Sequence, residues 1–203
     1  MKTLYVTDRT SAGDGRVEAT LAALAGAPGV SVQLREKETP DREYLRRAEI
    51  ARRTLSPDVP LFVNRRFDIA LAAGADGVQL PASGLPLSRV RAGTPRGFKI
   101  GVSTHSPEEA RRAIEGGADV VLIGPIFATP SKAGFGPPLG AEVLGQLPPG
   151  SEHGAQVFAI GGIREEDVEA LEPWRDRIAG VAGIRLFQDA DDPGGVARRI
   201  ALR

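Results

Sequence analysis

Eight short apolar runs recur along this 203-residue chain, at 3–6, 30–34, 61–63, 77–80, 99–102, 120–123, 157–160 and 180–184. Each is rich in Val, Ile or Leu and has turn residues nearby, the pattern of strands buried on both faces. Their starts run from 3 to 180, so the seven intervals average about 25 residues, enough for one crossover each. Helices are predicted between and after them, at 17–25, 41–55, 66–73, 87–92, 107–116, 139–147, 165–171 and 193–202. The fifth carries the clearest start signal: Ser106 as N-cap, Pro107 in the first position and acidic residues in the first turn. Eight strands alternating with eight helices demand parallel pairing through right-handed crossovers. That spacing fits a compact (β/α)₈ TIM barrel over residues 1–203 as one domain. A doubly wound open sheet should place a glycine-rich fingerprint after its first strand, where this chain reads VTDRTSAGDG.

Composition narrows the function classes. Twenty-six basic residues balance 26 acidic ones and 41% of the residues are hydrophobic. General disorder is thereby excluded, and a neutral balance argues against a nucleic-acid binder. The absence of cysteine removes a disulfide scaffold, a Cys-ligated zinc site and a thiol nucleophile, and fits a reducing compartment. No apolar run is long enough to span a membrane, and the stretch in MKTLYVTDR is too short for a signal peptide. A cytoplasmic protein is expected; a homodimer is left open.

In a parallel barrel the active site forms where the strands end. The polar residues at the ends of the first four runs are Thr7, Asp8 and Arg9; then Gln33, Arg35, Glu36 and Lys37; then Asn64, Arg65 and Arg66; then Gln79 and Ser83. Strand five contributes Ser103, Thr104 and His105, the loop at 124–138 Thr129, Ser131 and Lys132, strand seven Gly161 and Gly162, and strand eight Arg185. Cations, hydroxyls and glycine turns with few carboxylates describe an anion site. Arg offers a planar fork and Lys a point charge to phosphate. The Gly161–Gly162 turn before a helix near Arg164 would turn backbone N–H groups toward such an anion. His153, in a polar loop on the far face, is not expected to take part.

The pieces VQLREK (32–37), LFVNRRFDIALAAGADGVQL (61–80), IGVSTHS (100–106), ADVVLIGPIFATPSK (118–132) and FAIGGI (158–163) resemble, in order, the thiamine-phosphate synthase and thiazole tautomerase superfamily. The resemblance implies a (β/α)₈ barrel. It further implies that Gln33, Arg35 and Lys37 bind the diphosphate of a hydroxymethylpyrimidine substrate. Asn64 would contact pyrimidine or phosphates, and Ser103 the pyrimidine. Thr129, Ser131 and Lys132 would grip diphosphate and thiazole phosphate, and Gly161 and Gly162 would cradle the thiazole phosphate.

Two departures bear on the chemistry. The synthase motif has Asn-Asp where this chain has Asn64-Arg65, and a second aspartate is missing from the Gln79–Ser83 stretch. In the family these are magnesium ligands, so here magnesium is expected only with diphosphate bound. Arg65 would partly replace its charge. The tautomerase branch needs no metal, but it carries a Gly-His pair where this chain has Gly124-Pro125. His105 is then the only imidazole near the mouth, and His titrates near neutrality. The leading expectation is a synthase that joins phosphorylated pyrimidine and thiazole substrates and releases diphosphate. The candidate catalytic residues are Arg35, Lys37, Lys132 and His105, with Arg185 in the phosphate grip. A thiazole phosphate tautomerase and a non-catalytic phosphate-ligand binder are the alternatives.

Overall fold

The computed structural model describes residues 1–129 and 136–203. Its eight strands close into a parallel barrel in the order β1 to β8, each bonded to its neighbours in sequence and β8 to β1. They are β1 (Lys2–Val6), β2 (Val30–Leu34), β3 (Leu61–Asn64), β4 (Gly77–Leu80), β5 (Lys99–Thr104), β6 (Val120–Ile123), β7 (Gln156–Ile160) and β8 (Gly180–Gly183). The apolar runs thus located all eight, with ends shifted by at most two residues.

Alternation along each strand sorts the core into two layers. Leu4, Val6, Phe62, Val120, Leu122, Phe158 and Ala182 fill the barrel interior. Tyr5, Val32, Leu34, Leu61, Val63, Val78, Ile100, Val121, Ile123, Ala159 and Val181 face outward into a second layer shared with the helices. Large and small residues alternate across the interior. A Cβ on Gly77 would fall 2.8 Å from the Phe62 ring, so glycine there is what admits the ring.

The helices are α1 (Arg9–Ala12), α2 (Asp14–Leu24), α3 (Asp41–Thr54), α4 (Phe67–Ala72), α5 (Leu87–Ala92), α6 (Pro107–Glu115), α7 (Arg185–Gln188) and α8 (Pro193–Ala201). In α2 the buried residues Val17, Thr20, Leu21 and Leu24 follow the helical period. Ser106 caps α6 as its sequence indicates, its Oγ accepting from the Glu109 N–H at 3.2 Å. Two expected α-helices are instead 3₁₀ segments, Ala141–Gln146 and Glu166–Trp174. Pro173 removes a donor from the second. The first packs Gly145 so tightly on Trp174 that a Cβ would lie 2.6 Å from the indole. The four-residue helices α1 and α7 are too short to leave a periodic signal in the sequence.

The start of the barrel is pinned by a repeated Gly-Ala-Asp. Asp76 Oδ2 accepts from the Leu61 N–H and from Arg52, both at 2.8 Å. Asp119 Oδ2 accepts from the Ile100 N–H at 2.7 Å and from Arg91 at 2.5 Å. No helix among the described residues is long and apolar enough to cross a membrane.

Candidate active site

The C-terminal ends of the strands carry a neutral floor beneath a cationic rim. Gln33 Nε2 donates to Asn64 Oδ1, and Gln79 Nε2 to Ser103 Oγ, each at 3.1 Å. Asn64 and Gln79 are register partners, so four uncharged polar side chains run across β2, β3, β4 and β5. Gln33 and Gln79 are buried, at 3% and 0% exposure. Their Oε1 atoms have no hydrogen-bond partner among the described residues. A buried acceptor left unpaired costs about 1–3 kcal/mol, and a ligand N–H would relieve it. Gly101 makes the room: a Cβ there would fall 1.9 Å from Gln79 Oε1.

The rim is positive. Arg35 is half-buried and Arg65 and Arg185 are exposed, and none of the three side chains meets a carboxylate among the described residues. Their neighbours do: Arg66 is held by Asp41 and Asp68, and Arg9 by Glu36 and Asp14. Arg65 takes up a left-handed backbone, φ 67°, with its N–H donating to the Gln79 carbonyl at 2.9 Å. Arg185 opens α7 rather than ending β8. Lys37 is exposed and Thr129 half-buried at the same end. Ser131 and Lys132 lie outside the described residues.

Two groups lock these strand ends together. Tyr44 on α3 donates its hydroxyl to the Leu34 carbonyl at 2.9 Å and accepts from the Asn64 N–H at 3.1 Å. Burial pushes its phenol above the usual tyrosine range, which keeps the donor protonated. Thr7 Oγ1 accepts from the Arg35 N–H at 2.9 Å. The apolar stripe of α3 has no feature that marks Tyr44 as a bridge. Gln79 does carry a signal, as a polar residue inside an apolar run, but residue type alone assigns it no role.

The glycine turn differs from the expected helix-terminus site. Gly161 and Gly162 have φ 98° and 69°. The next segment is the 3₁₀ stretch from Glu166, and the Arg164 N–H is already taken by Asp167 Oδ2 at 2.9 Å. The N–H groups of Gly162 and Ile163 have no acceptor among the described residues, so the turn leaves two backbone donors open there. His105 is exposed and turned to α6, its Nδ1 3.5 Å from Glu109 Oε2. His153 lies between the segment Gly150–Glu152 and β7, at the opposite end of the barrel.

Magnesium, which the family resemblance implies, does not fit the side chains at the ends of β3 and β4. They offer amides, a hydroxyl and the Arg65 guanidinium, whereas a protein-held magnesium usually rests on one or two carboxylates. Among the described residues no three His, Cys, Asp or Glu converge as a metal site.

Comparison with known proteins identifies the family. A thiamine-phosphate synthase of Methanoculleus marisnigri is 40% identical over 184 residues, covering 89% of this chain and 86% of its own. One of Syntrophomonas wolfei is 38% identical over 198 residues, covering 96% and 92%. The solved thiamine phosphate pyrophosphorylase of Pyrococcus furiosus superposes with TM-score 0.81 at 28% identity, over 99% of this chain and 94% of that one. The 3-hexulose-6-phosphate synthase of Salmonella typhimurium, at 19% identity and TM-score 0.70, shares the fold. Residues 3–187 match the thiamine monophosphate synthase family, and the chain belongs to that family.

Proposed function

We propose that the protein condenses hydroxymethylpyrimidine diphosphate with thiazole phosphate. The C–O bond between the pyrimidine methylene and diphosphate breaks, and its electron pair leaves with diphosphate. The thiazole nitrogen lone pair then forms the new C–N bond at the cation-like methylene. No proton carrier is required at either atom. The protein's part is electrostatic and positional: Arg35, Lys37, Arg65 and Lys132 stabilise the leaving diphosphate, and the Gly161–Gly162 turn with Thr129, Ser131 and Arg185 holds the thiazole phosphate. Gln33, Asn64, Gln79 and Ser103 orient the pyrimidine through its ring and amino groups.

The observation that carries this reading over proton transfer is the pairing of a cationic rim with a floor that cannot titrate. Pro125 stands where the tautomerase branch has its histidine, and His105 faces Glu109 on α6. The test is incubation with both precursors, with and without magnesium, following thiamine phosphate and diphosphate by mass spectrometry. Ligand binding without turnover would favour the non-catalytic reading, and isomerised thiazole the tautomerase. His105→Asn is expected to keep condensation within about tenfold. A loss of about 10²–10⁴, the worth of a positioned acid or base, in a variant with an unchanged melting curve would sink the mechanism.

Gln79→Leu should lower affinity for an aminopyrimidine by about tenfold, the value of one satisfied hydrogen bond. Inorganic diphosphate should bind this variant as before. Calorimetry with the two ligands separates the floor from the rim, and equal losses for both would remove Gln79 from ring recognition.

A further inference from the structure

Glu36 is a carboxylate set between two cations of the anion site, Arg35 and Lys37. Its side chain is 4% exposed, and its Oε1 accepts from Arg9 Nε at 2.9 Å; Arg9 is itself 11% exposed. Alternation beyond β2 puts Arg35 on the barrel side with Gln33, and Glu36 on the helix side with Leu34. Arg9 lies in α1, directly after β1. Its Nη1 also reaches Asp14 Oδ1 at 3.0 Å. Asp14 is shared with Arg47 at 3.1 Å, and Arg47 holds Glu43 at 2.8 Å. Hydrogen bonds from Arg47 and then Arg9 hold the Asp14 carboxyl below its ordinary value. The Asp14 carboxylate therefore stays ionised and anchors Arg9 from its outer side.

We infer that Arg9 is a positioning residue for the anion site: by cancelling the Glu36 charge behind the strand, it leaves the Arg35 charge to act on a bound diphosphate. The inference rests on the anion-site reading proposed above. A buried carboxylate without a counter-charge is costly, and the other cation that feels the Glu36 charge, Arg47, is already engaged by Asp14 and Glu43. Without Arg9, the Glu36 charge would act through the strand and offset the field of Arg35 at the ligand.

This role differs in sign from that of a structural ion pair. A prop weakens the site whichever partner is removed. A counter-charge weakens it only when the cation goes, because removal of the acid leaves Arg9 as an additional positive charge.

The experiment is calorimetry of inorganic diphosphate on the full chain, with a melting curve for every variant. Arg9→Met is expected to weaken diphosphate by about tenfold or more through the uncompensated acid. Glu36→Gln is expected to bind diphosphate as tightly as the unaltered protein, or more tightly, while melting lower. The double variant should return to within about threefold of the unaltered protein, and Arg9→Lys should recover most of the affinity. If Arg9→Met fails to fold, Glu36→Gln and the double variant decide. Unchanged binding by Arg9→Met, or a loss in Glu36→Gln as large as in Arg9→Met, would overturn the inference alone. Failure of the unaltered protein to bind diphosphate would overturn the anion-site reading and this inference with it.

Discussion

Gly162→Ala is expected to lose phosphate binding and several degrees of thermal stability together. A Cβ at this position would lie 2.6 Å from the carbonyl carbon and oxygen of Phe127 and from the oxygen of Ala128. All three are backbone atoms, so no side chain can swing away to relieve the contact. The residue also sits at φ 69°, where a Cβ costs about 1–2 kcal/mol. Overpacking adds about 1–3 kcal/mol. In a chain of this length each kcal/mol lowers the melting temperature by about 2–4 °C, so a drop on the order of 10 °C is expected. The loop that must move, residues 127 and 128, leads into Thr129, and the turn carries the donors proposed to meet the thiazole phosphate. Affinity for thiazole phosphate should therefore fall by about a hundredfold, the equivalent of one or two charge-assisted hydrogen bonds. Gly140→Ala is the control. Gly140 also has positive φ, 79°, but its added Cβ would meet only the Glu142 carboxylate end, at 2.9 Å. It should carry the backbone strain and leave phosphate affinity alone. Scanning fluorimetry and calorimetry on the two variants read both effects. Unchanged phosphate affinity in Gly162→Ala would remove the turn from the site.

The barrel was legible in the sequence because its signal is additive. Eight apolar runs each fix one strand, and a period of two then assigns Leu4, Val6 and Phe62 to the interior and Tyr5, Val32 and Val63 to the outer layer. What failed was local. The stretches 139–147 and 165–171 have helix-like composition, yet Gly145 against Trp174 and the proline at 173 leave only 3₁₀ turns there. The cations proposed for the site are legible as residue types at strand ends, and that inventory sets which sign of ligand to expect. Their state was not legible. Arg65 and Arg66 are indistinguishable in sequence, but one sits in a left-handed conformation and meets no carboxylate among the described residues, while the other is bound by two aspartates. The same holds for Tyr44 and Arg9, whose roles depend on partners 20 and 27 residues away. Pairing across the barrel is a property of register, and no local pattern carries it.

That difference between neighbouring arginines gives the last prediction. Arg65→Asp should make the protein slightly more stable and a much weaker binder of diphosphate. Arginine at φ 67° carries the strain of a Cβ in the left-handed region, which aspartate tolerates better. The Arg65 side chain is exposed and meets no carboxylate among the described residues, so no ion pair is lost in exchange. The substitution moves the rim by two charge units, each worth about 1–2 kcal/mol at a partly screened site. Diphosphate affinity in magnesium-free buffer should then fall by about a hundredfold. Millimolar magnesium should restore much of it in the variant and matter far less in the unaltered protein, because a carboxylate beside phosphate oxygens is a natural magnesium site. Arg66→Asp is the control. It changes the charge by the same two units but also breaks the ion pairs with Asp41 and Asp68, so it should lower the melting temperature, and the affinity it loses measures what charge near the rim does without the Arg65 position. Titrations of diphosphate into the three proteins, each with and without magnesium, decide the matter. Equal magnesium-free affinities for Arg65→Asp and the unaltered protein would show that the Arg65 charge does not reach the ligand, and the anion site would then contract to the ends of β2 and the loop after β6.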